Sequence, residues 1–160
     1  MGAMREPTVS ESIRIAASPD VIYDLVADVA RMGEWSPEAT GARVSKPGPL
    51  VEVGDTFTGT NKHGIARWST RCTVTEAERG EVFEFVVEFP PFKISTWRYE
   101  LRADGDATVV TEHWFDDRTG IRGSAIKALG QALIPGSRPE HNRRNMQVTL
   151  INLKRAAEAS

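Results

Sequence analysis

From Thr8 onward the hydrophobic and polar positions follow a strand period, then a helix period, then a long strand-period stretch, and finally a helix period again. Over 9–16, Val9, Ile13 and Ile15 keep to one parity, as in a strand with one buried face. The period changes at Ser18-Pro19-Asp20. Serine is a favourable N-cap, proline suits the first helical position, and Val21, Ile22, Leu25, Val26 and Val29 follow at helical spacing. This pattern predicts a helix to about Ala30. A second short helical turn follows at Arg31-Met32-Gly33-Glu34-Trp35, interrupted by Gly33 and Pro37.

Six further strands are predicted at 40–45, 55–62, 66–78, 81–89, 93–103 and 107–116. The residues between them are turn formers: Pro47-Gly48-Pro49, His63-Gly64, Arg79-Gly80, Pro90-Pro91 and Asp104-Gly105-Asp106. Connections this short make neighbouring strands antiparallel, so the seven strands form a long curved meander. The last stretch returns to helical spacing, with Met146, Leu150, Leu153, Ala156 and Ala157 on one stripe. A helix starting near Pro139 is about 30 Å long, enough to cross a whole sheet. Residues 117–138 carry four glycines and Pro135 around Ile126, Leu129 and Leu133, predicting a short, weak helix flanked by loops. The layout is α+β, with the final helix covering the apolar face of the sheet in one domain over 8–160.

Composition narrows the function classes. A chain of 160 residues is long enough for a core without a metal or disulfide staple. With 20 Lys+Arg against 22 Asp+Glu, the net charge of −2 gives no bulk attraction to nucleic acid or an anionic membrane. The single Cys72 excludes an internal disulfide and a cysteine-based zinc cluster. No apolar run approaches the ~20 residues of a membrane span, and the N-terminus lacks a signal-sequence pattern. A cytoplasmic protein without stable membrane insertion is expected. Met1-Gly2-Ala3-Met4 reads as a vector-derived extension ahead of a native Met4, and residues 1–7 are expected to be disordered.

Several local sequences carry a family resemblance: Ile15-Ala16-Ala17-Ser18-Pro19-Asp20-Val21-Ile22-Tyr23, Gly33-Glu34-Trp35-Ser36-Pro37, Trp97-Arg98-Tyr99-Glu100-Leu101, Thr108-Val109-Val110-Thr111-Glu112, and the terminal stretch from Asn145 to Lys154. In this order the chain resembles the START-like, or SRPBCC, helix-grip superfamily, which includes polyketide cyclase/dehydrase-like proteins. The resemblance implies a seven-stranded antiparallel sheet curved around a long C-terminal helix, with two short helices after the first strand and a cavity between sheet and helix. It implies no single function, because one fold hosts carriers and enzymes alike. The iron-dependent branch needs a histidine pair and a carboxylate, and His63, His113 and His141 do not have that spacing. No metal or cofactor is therefore expected.

Bulky groups on the strands facing a lean helical stripe also favour a cavity. Its expected wall comprises Trp35, Phe57, Trp68, Phe85, Trp97, Tyr99, His113 and Phe115, roofed by Met146, Thr149 and Leu150. Core packing is the alternative for each aromatic. His113 and Tyr99 are the candidates for proton transfer, the alternatives being a satisfied, half-buried histidine on the outer face for His113 and core packing for Tyr99. The parity of His113 groups it with Thr111 and Phe115, while Val110, Glu112 and Trp114 take the other face, and a register shift of one exchanges the two sets. Cys72 has no neighbour to activate it. Asn142 and Thr149 bring polar groups to the apolar stripe of the helix.

The leading expectation is a binding protein for a small, largely apolar molecule, lipid-like or polyketide-like. A polyketide aromatase/cyclase is the second reading. A protein-interaction or toxin-like regulator is the third, and it would need Ile126, Leu129 and Leu133 as an exposed patch. Residues 120–138 are expected to form a mobile gate over the cavity, opposed by Pro90-Pro91-Phe92.

Overall fold

The computed structural model describes residues 5–46, 48 and 51–160; Met1 to Met4, and Pro47 and Pro49 of the expected turn, lie outside the described residues. The elements run β1 (Val9–Ile15), α1 (Pro19–Val26), a 3-10 helix (Val29–Glu34), β2 (Ala39–Val44), β3 (Thr56–His63), β4 (Ala66–Glu78), β5 (Val82–Phe89), β6 (Phe92–Asp104), β7 (Ala107–Asp116), α2 (Gly120–Leu133) and α3 (Arg138–Glu158). Each strand lies within two residues of its expected bounds. The strands form one antiparallel sheet in the order β1-β7-β6-β5-β4-β3-β2. Thus β1 pairs with the last strand, while α1 and the 3-10 helix carry the chain from one sheet edge to the other.

Two helical expectations need correction. The first helix ends at Val26 rather than near Ala30, because Asp28 leaves helical geometry at φ −84°, ψ 75° and the chain restarts as the 3-10 helix. Gly33 then has a packing role: a Cβ there would lie 2.7 Å from the carbonyl oxygen of Thr40, so only glycine lets the 3-10 helix approach β2. The segment expected to be a short helix in loops is instead the 14-residue α2. Gly123 is buried and Ile126 half-buried on its inner side, while Ile121, Leu129 and Leu133 are exposed.

Serine caps start the other two α-helices. Ser18 Oγ accepts from the Val21 amide at 3.3 Å, and Ser137 Oγ accepts from the Glu140 amide at 3.4 Å, each relieving an otherwise unpaired donor. Helix α3 packs on β1, β7 and α1. Its C-terminal half brings Leu150, Leu153 and Ala157 into a core with Ile15, Ile22, Val26, Phe83, Leu101 and Val110. Its N-terminal half behaves differently, with Met146 joining Val9, Trp114 and Trp97 in a smaller cluster that leaves space beside it. No helix among the described residues is long and apolar enough to cross a membrane.

Candidate functional site

Between the sheet and the N-terminal half of α3 lies a cavity of about 150 Å³, several times what one water requires. Strand alternation decides what faces it. The antiparallel register sets Phe57 opposite Cys72, Phe85 opposite Trp97, Tyr99 opposite Glu112 and Trp97 opposite Trp114, so these side chains share the inner face. Of the expected lining residues, Phe57, Trp68, Phe85, Trp97 and Tyr99 line the cavity from the sheet, and Met146 and Thr149 line it from α3.

The other four do not line it. His113 occupies the opposite face, where its Nδ1 shares a hydrogen bond with Ser10 Oγ at 2.6 Å and its Nε2 lies 3.4 Å from Glu100 Oε2. The parity that grouped His113 with the interior is therefore reversed: α3 covers Val110, Glu112 and Trp114. Phe115 follows His113 outward and is buried beneath the guanidinium of Arg5, which stacks 4.5 Å from the ring centroid. Trp35 is buried in the main core behind the cavity, with its carbonyl accepting from Asn152 Nδ2 at 3.0 Å. Leu150 belongs to the sealed half of α3.

The residue that sequence reasoning missed is Glu112. Only 3% of it is exposed, and it lines the cavity beside Tyr99. Tyr99 Oη donates to Glu112 Oε1 at 3.2 Å, whereas Glu112 Oε2 has no hydrogen-bond partner among the described residues. Burial disfavours the charged carboxylate and pushes the Glu112 carboxyl up to about 8, against a smaller opposing effect of the Tyr99 hydrogen bond. At neutral pH, then, most of Glu112 is the protonated acid. Burial, with the neighbouring Glu112, drives the Tyr99 phenol well above its ordinary range, so it remains a donor. A signal was available in the sequence. Val9 and Ile13 share the apolar parity of β1, and once β1 is paired with β7 they stand opposite Trp114 and Val110, which marks that face, Glu112 included, as the buried one.

Asn142, on the first turns of α3, is 1% exposed, lines the same cavity and leaves Nδ2 without a partner among the described residues. Cys72 also lines it, but burial pushes its thiol up to about 12, which leaves no thiolate for nucleophilic chemistry. At the rim, Arg138 Nη1 donates to Glu38 Oε2 at 3.2 Å, as does Asn145 Nδ2 at 3.2 Å. Arg118 grips Asp116 through two hydrogen bonds of 2.9 and 3.0 Å. No group of three His, Cys, Asp or Glu side chains among the described residues is placed to hold a metal ion.

A curved antiparallel sheet gripping a long helix over a partly polar cavity defines a helix-grip protein. More specifically, the chain belongs to the polyketide cyclase/dehydrase and lipid transport family, whose model matches residues 6–158. Among solved structures, it is 30% identical to the Polyketide_cyc-like protein Cgl2372 from Corynebacterium glutamicum, with 94% of this chain and 90% of that one covered at a TM-score of 0.59. The KanY protein is 18% identical over 97% of this chain and 99% of its own, with a TM-score of 0.66. The di-domain ARO/CYC StfQ from the steffimycin biosynthetic pathway is 14% identical; 94% of this chain covers 44% of StfQ at a TM-score of 0.62. The last two likenesses concern the fold. No curated protein matches the sequence.

Proposed function

We propose that this protein binds a small, largely apolar molecule between the sheet and the N-terminal half of α3. The observation that carries this reading is the cavity of about 150 Å³, walled by Phe57, Trp68, Phe85 and Trp97 and roofed by Met146. A core built only for stability would close such a space, because each unfilled volume forfeits dispersion contacts. Gly59 offers a direct test. It lines the cavity, and an added Cβ would meet Thr70 Oγ1 at 3.6 Å and Cys72 Sγ at 3.8 Å, both ordinary contacts. Gly59→Leu should therefore fill the space, abolishing the binding of a naphthalene probe while leaving denaturation no worse than in wild type. Equal probe affinity in the two proteins would refute the reading.

A second reading, cyclisation or dehydration of a poly-β-keto chain, is favoured by one feature: the Tyr99–Glu112 pair puts a donor and a protonated acid side by side in the cavity. An acid ionising near neutrality can both give and take a proton. Incubation with a poly-β-ketone thioester tests it. An aromatic product that disappears, by about 10²–10⁴-fold in rate, in Glu112→Gln would establish catalysis.

A further inference from the structure

We propose that Glu112 is the donor of a subsite that receives the carbonyl oxygen of a neutral, otherwise apolar ligand, with Tyr99 holding Glu112 in place and Asn142 offering a second donor elsewhere in the same cavity. The inference rests on the binding reading above and names the chemical class of its ligand.

Buried polar groups in folded proteins are nearly always hydrogen-bonded, and an unpaired one destabilises the fold. Here two side chains facing one cavity leave atoms unpaired: Glu112 Oε2 and Asn142 Nδ2. The position of the proton follows from the neighbours. Tyr99 Oη donates to Glu112 Oε1, which makes that oxygen the acceptor and leaves the acid proton on Oε2. In its neutral form Glu112 therefore presents an O–H to the cavity, and Asn142 presents an N–H. A donor facing an apolar space suits a ligand oxygen that carries lone pairs and no charge.

Charge disfavours the alternatives. Among the described residues Glu112 makes no hydrogen bond to a cation, and its bonded neighbour is Tyr99 on β6. On β1, Glu11 lies opposite it in register, but Glu11 accepts from Arg143 Nη1 at 2.7 Å and Gln147 Nε2 at 3.4 Å, both from α3. Elsewhere around the cavity, Arg118 is held by Asp116 and Arg138 by Glu38. A carboxylate ligand would enter with no free cation among the described residues to compensate its desolvation, and an ammonium ligand would bind only as a buried ion pair with ionised Glu112, at the cost of desolvating both charges. A ketone, quinone, ester or amide carbonyl pays neither cost. Burial keeps the Glu112 proton in place up to about pH 8, and once it is lost the subsite turns from donor to acceptor and repels the carbonyl.

The test uses three probes of one shape: 2-acetylnaphthalene, 2-ethylnaphthalene and 2-naphthoate, titrated into the whole protein at pH 6.5 and 9.5. The ketone should bind roughly five- to tenfold more tightly than the hydrocarbon at pH 6.5, the scale of one net hydrogen bond, and lose that preference at pH 9.5. The naphthoate should bind more weakly than either. Glu112→Gln retains an N–H donor and cannot ionise, so its ketone preference should persist at both pH values. Glu112→Leu should abolish the preference at both, while its binding of the hydrocarbon shows that the fold and cavity remain. Equal affinity for ketone and hydrocarbon in wild type, as expected if water alone occupies the subsite, overturns this inference and leaves the cavity reading standing. Tighter binding of the naphthoate, or a ketone preference that survives in Glu112→Leu, also overturns it. If neither neutral probe binds, both readings fall together.

Discussion

Replacing Glu112 by glutamine should remove a pH dependence of stability that belongs to this one side chain. In the folded protein the carboxyl keeps its proton up to about 8, whereas in the unfolded chain it releases it near the ordinary value of 4.5. Between those values the native state binds one more proton than the unfolded state. Stability therefore falls as pH rises, by about 1.4 kcal/mol per pH unit, and levels off above about 8. From pH 5.5 to 7.5 the loss is about 2–3 kcal/mol, large against the ~5–15 kcal/mol that holds a typical domain together. Glutamine has nearly the same shape and can still accept from Tyr99 through its carbonyl oxygen, yet it carries no titrating proton. Urea denaturation of both proteins at several pH values isolates the effect, since every other titrating group cancels in the difference. The stability of wild type relative to the variant should fall by about 2–3 kcal/mol over that interval, a midpoint shift of ~1–2 M urea. Parallel curves for the two proteins between pH 5.5 and 7.5 would show that Glu112 is not a buried acid, and would remove the donor from the cavity.

Leu153 has no exposed surface and lies in the sealed half of α3, so Leu153→Ala should cost about 2–5 kcal/mol in urea denaturation; a loss below ~0.5 kcal/mol would take the helix out of the core. His113→Gln changes the outer face of β7, where the side chain meets Ser10 and Glu100, and should leave naphthalene-probe affinity unchanged. A several-fold change in that affinity would return His113 to the site. The amides of α2 should exchange with deuterium faster than those of β6 and β7, because its apolar outer face, with Ile121 92% and Leu133 66% exposed, packs on nothing among the described residues. Exchange as slow as in the strands would rule out α2 as a movable gate.

The strands and α3 were legible in the sequence because each repeats a period over many residues: Val82 to Phe89 and Phe92 to Asp104 alternate across two faces, and the stripe through Met146, Leu150, Leu153 and Ala157 holds for about three turns. The boundary of α1 was not, since Val29 continues its helical spacing while belonging to the next element. Which side of β7 faces inward was also ambiguous locally, because two-residue periodicity assigns two sets without naming the buried one. Histidine, flanked by threonine and phenylalanine, stood as an interior candidate beside a place on the outer face, and glutamate read as solvent-facing. The fold reversed this because Val110 and Trp114 bury more apolar surface under α3 than Thr111 and His113 would, and Glu112 is carried inside between them. Five expected aromatics still face the cavity, since they sit on β3 to β6, whose inner face is unambiguous, and Met146 and Thr149 face it from the helical stripe.

The placement of Tyr99 and Glu112 has a thermodynamic consequence. On the inner face their cross-strand pair lies between two apolar pairs, Leu101 with Val110 on one side and Trp97 with Trp114 on the other. Replacing two buried polar partners by apolar groups of similar shape is commonly neutral or stabilising, so packing alone gives no reason for a phenol and a carboxyl at this register. The outer face of the same strands has no such tension: Arg98 donates to Glu84 at 3.0 Å and to Glu100 at 2.8 Å, in contact with solvent. The polar groups of α3 follow the same division. Asn142, which faces the cavity, lies in the half of the helix that leaves space, while Leu150, Leu153 and Ala157 seal the other half. Space and unpaired polarity thus coincide at one end of the grip and are absent from the other. That coincidence is expected where a bound molecule or ordered water supplies the missing hydrogen bonds, and the ketone and hydrocarbon probes separate the two.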